Sequence, residues 1–183
     1  MKQKLLFILF VFGMSLQLSA QVVAGIPDDL IECDVNNPGD QIEVFDLTET
    51  EKCQDIVESA GIIDILIANL ASENFSGIPT SDLTDEDWNT TFDVMVHPLH
   101  KLSRAVIPQM VERQAGKIIV YGSASALKGM RTLAAYSAAR AAQVGYVQSL
   151  GVELAPHNIQ VNLIAQNYVE NPIYYPESLR SQE

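Results

Sequence analysis

The sequence predicts an α/β fold built on a doubly wound parallel sheet. Three observations lead there. Short, almost continuous apolar runs recur along the chain at Leu5–Phe12, Ile62–Ala68 (IIDILIA) and Lys117–Tyr121 (KIIVY), as strands buried on both faces require. Between them lie helix-length segments opened by capping residues and closed by glycine. The connections are short, and strands alternating with helices in this way make βαβ units with helices on both faces of the sheet.

The N-terminus supports two readings. Lys2 and Lys4 precede an apolar stretch from Leu5 to Leu16, and Leu18-Ser19-Ala20 has the form of a cleavage site. Residues 1–20 therefore have the shape of a secretory signal peptide, too short for a transmembrane span. They equally fit a first strand, Leu5–Phe12, turning at Gly13 into a helix, because hydropathy does not separate the two. Residues 21–183 form the rest of a single domain.

Leu30–Val35 and Ile42–Leu47 are expected strands. Thr48-x-x-Glu51 reads as a capping box opening a helix to about Ser59, which Gly61 stops. After the strand Ile62–Ala68 comes a polar loop with Ser76, Gly77 and Pro79. Thr84 caps a long helix whose first turn holds Asp85, Glu86 and Asp87, carboxylates that complement the helix dipole. Pro98 predicts a kink, and Gln114-Ala115-Gly116 ends the helix. The strand Lys117–Tyr121, a loop over 122–132, a helix from about Leu133 to Leu154, a turn at Pro156-His157-Asn158 and a strand Ile159–Ile164 complete the order.

The chain has 183 residues, 48% hydrophobic and 19% charged, which suits one domain with a substantial core. Its formal charge of −12 is concentrated in residues 1–100, which hold 18 acidic and 3 basic side chains, against 5 and 8 in residues 101–183. Such acidity repels phosphate backbones and excludes nucleic acid as a partner. Cys33 and Cys53 make neither a zinc spacing nor a disulfide framework. His97, His100 and His157 show no paired carboxylate or metal spacing, so no metal site is expected. The alanine-rich face of Ala134, Ala135, Ala138, Ala139, Ala141 and Ala142 permits close helix–helix approach.

In parallel α/β sheets ligands bind outside the carboxyl ends of the strands, here after Ala68, Tyr121 and Ile164. Ser123 follows one of these strands, and Tyr136 and Arg140 share a face of the next helix by their i, i+4 spacing. A phenol, with a reference pKa of about 10, is a poor base at neutral pH. A guanidinium about 6 Å away in an effective dielectric of about 20 favours its ionised form by roughly 3 kcal/mol. Such a phenolate can take a proton from a substrate hydroxyl that Ser123 orients.

Ser123, 12 intervening residues, and Tyr136-Ser-Ala-Ala-Arg140 resemble the Ser–Tyr–xxx–Lys site of short-chain dehydrogenases/reductases, with Arg in place of Lys. Asp46-Leu47-Thr48 resembles that family's Asp-Val-Thr after its third strand. Residues 63–71 (IDILIANLA) resemble its fourth strand and Asn-Asn-Ala-Gly turn, 116–125 (GKIIVYGSAS) the strand bearing its catalytic serine, and 158–167 (NIQVNLIAQN) the sixth strand and its Pro-Gly. The resemblance implies a Rossmann-like doubly wound parallel sheet, compressed at its N-terminal end and incomplete at its C-terminal end beside the family, in a cytoplasmic protein, or an exported one if residues 1–20 are a signal peptide. It also implies a homo-oligomer in which the alanine-rich helix pairs with the preceding long helix at a subunit interface.

Departures from the family pattern imply a branch. NAD-dependent members carry a Gly-rich turn that lets backbone approach the pyrophosphate, where this chain offers only Gly13. Met95 stands where they carry a catalytic Asn, and Arg140 where their Lys grips the nicotinamide ribose. Arg for Lys together with a lost dinucleotide loop resembles the halohydrin dehalogenases, and 166–176 (QNYVENPIYYP) resembles their halide-binding loop. By that resemblance Gln166, Asn167, Tyr168 and Val169 form the halide nest and Tyr174 or Tyr175 its wall, although Gln166 replaces an expected Pro.

The implied reaction uses no cofactor. Tyr136, ionised by Arg140, takes the hydroxyl proton of a vicinal haloalcohol held by Ser123, the alkoxide closes to an epoxide, and halide leaves. The reverse ring opening by azide, cyanide or nitrite uses the same groups. Two alternatives stand beside it. One is an NAD(P)-dependent short-chain oxidoreductase with an unusual Arg. The other is a non-catalytic fragment, because the chain stops at Glu183, on the order of one βα unit short of the family's usual length.

Overall fold

Six strands form one sheet in the order β3-β2-β1-β4-β5-β6. The structure, a computed structural model, describes residues 5–9, 20–24, 42–70 and 78–167. The strands are β1 (Leu5–Leu9), β2 (Ala20–Ala24), β3 (Ile42–Phe45), β4 (Ile65–Asn69), β5 (Gly116–Ser123) and β6 (Ile159–Gln166); the helices are α1 (Thr50–Ala60), α2 (Asp85–Met95), α3 (His97–Arg113) and α4 (Ala134–Leu154). β1, β4, β5 and β6 run parallel in register, Leu6 beside Leu66, Leu66 beside Ile118 and Ile118 beside Val161. This is the strand order of a Rossmann-like doubly wound sheet.

One strand departs from the expected all-parallel sheet. β2 runs antiparallel to both β1 and β3. Only residues 10–19 separate β1 from β2, whereas a parallel crossover takes about a dozen residues or more, so β2 pairs with β1 in the opposite sense. The strand expected at Leu30–Val35 lies outside the described residues, and β2 was not anticipated.

Alternation along the central strands shows how the core is built. Leu66, Ala68, Ile118 and Val120 are buried on one face, and α1, α3 and α4 meet them there through Ile56, Val57, Leu102, Val106, Met110, Val147 and Leu150 in one continuous cluster. The opposite face carries Ile65, Ile67, Ile119 and Tyr121, half-buried, and the exposed Ile164. Among the described residues, then, helices cover one face rather than the two expected.

Local chemistry explains the element ends. Thr48 does not cap α1: its N–H and hydroxyl both donate to Asp46 Oδ1, at 2.9 and 2.7 Å, in a turn that closes before the helix. Glu49 takes the cap position without a side-chain bond. Thr84 does cap α2, accepting from Asp87 N–H at 3.1 Å while Asp87 Oδ2 accepts from Thr84 N–H at 3.0 Å. The expected kink at Pro98 is a division instead. The helix breaks at Val96, and Pro98 lies in the first turn of α3, where its missing N–H is not needed.

Asp64, the one charge within the apolar run 62–68, receives Arg113 Nη1 at 2.8 Å, while Arg113 Nη2 donates to the Ile63 carbonyl at 2.6 Å. The entry to β4 is thereby fastened to the end of α3. Among the described residues no helix is long and apolar enough to cross a membrane.

Replacing Thr84 by Ala removes the capping box and should lower stability by about 1 kcal/mol, read as a reduced urea midpoint with unchanged slope. Cys53, buried on α1 with Sγ 3.4 Å from the Leu47 carbonyl, supplies a pH test. Burial pushes its thiol up from 9.0 to about 11, against the pull of Lys101 and with a smaller push from Asp46. The unfolded chain therefore releases this proton first, so the contribution is full below pH 9 and is lost as pH rises towards 11. The stability difference between the wild type and Cys53→Ala should narrow over that interval in paired urea titrations.

Candidate functional site

β5 ends at Ser123, and a single turn of 3-10 helix, Ala124–Ala126, carries the chain away from the sheet. Ser123 Oγ accepts from the Ser125 N–H at 3.2 Å, so its own O–H remains available to donate. Gln166, at the end of β6, is the ladder partner of Ser123. Gln166 and Asn167 are both exposed beside it. Tyr168, Val169, Tyr174 and Tyr175 lie outside the described residues.

Tyr136 and Arg140 meet in the first two turns of α4, with the guanidinium carbon 5.0 Å from the phenol ring centroid. The contact is between cation and ring face. Tyr136 also closes a crevice of about 10 Å³ with Ile78, Thr80 and Leu83 from the segment before α2. No hydrogen bond joins Ser123 to Tyr136 among the described residues.

Arg140 is 2% exposed. Its Nη1 donates to the Tyr121 carbonyl of β5 at 2.8 Å and to Gln143 Oε1 at 3.0 Å. Gln143 Nε2 in turn donates to the Met95 carbonyl at 2.7 Å. Met95, in the place of the family's Asn, is fully buried and takes part through its backbone. Sequence reasoning missed Gln143, although an amide one turn from Arg140 on an otherwise Ala- and Val-rich helix was a visible signal.

Three further polar atoms in this segment, Arg140 Nε, Ser125 Oγ and Ser137 Oγ, are buried without a partner among the described residues. The turn bearing Ser125 packs against α4. The strand order also places the switch point of the sheet between β1 and β4, the crevice where such folds hold a dinucleotide. The carboxyl ends of β1 and β4 lie side by side at that switch point.

Elsewhere, His97 Nδ1 stands 2.8 Å from Asp93 Oδ1, so this histidine does have a carboxylate partner, one helical turn away on the exposed surface. No group of three or more His, Cys, Asp or Glu able to hold a metal is present among the described residues.

The short chain dehydrogenase family model matches residues 27–179. A 3-oxoacyl-(acyl-carrier-protein) reductase of Buchnera aphidicola is 34% identical over 140 residues, covering 74% of this chain and 55% of the relative. Among solved structures, one described as a dehalogenation enzyme is 35% identical with a TM-score of 0.63, covering 72% of this chain and 54% of that one. A xylitol dehydrogenase with NAD+ bound is 27% identical with a TM-score of 0.66, covering 70% and 51%. The chain spans about half the length of the curated relatives it matches.

These relatives overturn the expectation of a cofactor-free site. That expectation rested on the missing glycines around Gly13, on Met95 in the place of Asn and on Arg140 in the place of Lys, whereas the relatives include a reductase and a dinucleotide-bound dehydrogenase. With the match running from residue 27 to residue 179 on a sheet of this strand order, the chain belongs to the short chain dehydrogenase family.

Proposed function

We propose that the chain is part of an NAD(P)-dependent short-chain oxidoreductase that interconverts a small alcohol and its carbonyl compound. The observation that supports this reading is the pairing of Tyr136 with the buried cation of Arg140 on α4, beyond the strand that ends at Ser123. A nicotinamide dinucleotide, when bound, would supply or accept the hydride. Arg140 would hold the nicotinamide ribose, as the Lys of the family does. Tyr136 gives its phenolic proton to the carbonyl oxygen, or takes the hydroxyl proton in the other direction. The O–H of Ser123, left available by the Ser125 N–H, donates to the same oxygen and orients it. In this proposal the alanine-rich face of α4, with Ala134 and Ala141 exposed, contributes to a subunit contact.

A second reading, closure of a vicinal haloalcohol to an epoxide by the same three residues, is supported by Arg140 in the place of Lys and by the likeness to the dehalogenation enzyme. Tyr136 would take the hydroxyl proton, the alkoxide oxygen would bond to the adjacent carbon, and halide would leave with the bonding pair, towards Gln166 and Asn167.

Titration of the chain with NADPH or NADH should quench reduced-nicotinamide fluorescence, and Tyr136→Phe should bind with similar affinity while losing turnover by about 10²- to 10⁴-fold. Arg140→Met should weaken dinucleotide binding by about tenfold or more, as loss of a charged hydrogen bond predicts. Failure of both dinucleotides to bind at millimolar concentration would overturn the oxidoreductase reading. Halide release from a vicinal chloro- or bromoalcohol that disappears in Tyr136→Phe would establish the second.

A further inference from the structure

We infer that Gln143 is a positioning residue for Arg140, holding the guanidinium between β5 and the junction of α2 with α3. The inference rests on the oxidoreductase reading for its consequence, since Arg140 is the cation of that site, but the geometry stands without it.

Gln143 is fully buried, as is Met95, and Arg140 nearly so. Nη1 of Arg140 carries two hydrogens, and both are engaged, one by the Tyr121 carbonyl at 2.8 Å and one by Gln143 Oε1 at 3.0 Å. The amide nitrogen of Gln143 reaches the Met95 carbonyl at 2.7 Å. A guanidinium offers only donors and a carbonyl only acceptors. The amide therefore fits in one sense alone, oxygen towards Arg140 and nitrogen towards Met95. Met95 is the last residue of α2, where carbonyls run out of helical donors. The side chain of Gln143 thus supplies the partner each neighbour needs, and fixes where the cation stands against the Tyr136 ring.

A residue that merely fills space would tolerate an unbranched apolar replacement of similar volume. The test is hydrogen exchange at Arg140 Nε–H, followed by nitrogen-resolved NMR on the intact chain without ligand. In the wild type this buried group should exchange slowly. Gln143→Met should accelerate it by more than about tenfold, while backbone amides of α4 stay within about threefold of the wild type. Gln143→Glu gives up the bond to the Met95 carbonyl but keeps an acceptor for Nη1, and should retain the slow exchange at Arg140.

Unchanged Arg140 exchange in Gln143→Met overturns the inference. If Gln143→Met does not fold, Gln143→Glu decides: retained protection supports the inference, and exchange as fast as in the denatured chain overturns it. A wild type that binds neither NADPH nor NADH overturns the oxidoreductase reading and leaves this measurement intact, so the two failures are distinguishable. Where dinucleotide binds, Gln143→Met should raise its dissociation constant severalfold in the fluorescence titration, and Gln143→Glu should not.

Discussion

A guanidinium removed from water is the constraint around which the β5–α4 side of the molecule is arranged. Taking a charge into a protein interior costs several kcal/mol unless hydrogen bonds replace hydration, and Arg140 is 2% exposed. Its acceptors come from separate elements. β5 contributes the Tyr121 carbonyl, the next turn of α4 contributes Gln143, and through Gln143 the junction of α2 with α3 is drawn in at Met95. A displacement of any one of these would leave a charge or a carbonyl unmatched in the core. The break at Val96 gains a reason from this arrangement, because it ends α2 with the Met95 carbonyl facing the amide.

What the sequence made visible follows from how local the determining forces are. β4 and β5 carry apolar runs whose burial is set by composition, and Thr84 with Asp87 is a cap complete within four residues. Those were legible. The Thr48–Glu51 pattern was equally local but lost to a stronger neighbour, since Asp46 takes both the N–H and the hydroxyl of Thr48. β2 was not legible because its direction depends on how much chain separates it from β1. The partners of Arg140 were hidden for a related reason: the Tyr121 and Met95 carbonyls have no side-chain identity to read.

The site was legible in its residue types more than in its geometry. Spacing placed Tyr136 and Arg140 on one helix face, and they do meet, but through the ring face and with Nη1 of the cation bound elsewhere. A guanidinium so held acts as a fixed charge rather than a mobile one. This suits a role in which the surrounding field is set before substrate arrives. Family membership supplied the correction that motif reading alone did not, since the relatives include a reductase and a dinucleotide-bound dehydrogenase.

The one-way fit of the Gln143 amide also ties three positions together in mutation. A lysine at 140 would bring a compact ammonium in place of a planar fork, and the glutamine oxygen would then face a donor of different reach. An apolar residue at 143 suits a site in which the cation needs nothing from that side, but it abandons the Met95 carbonyl. Changes at 140 and 143 are therefore non-additive by construction. An arrangement with lysine at 140 would call for a different partner at 143.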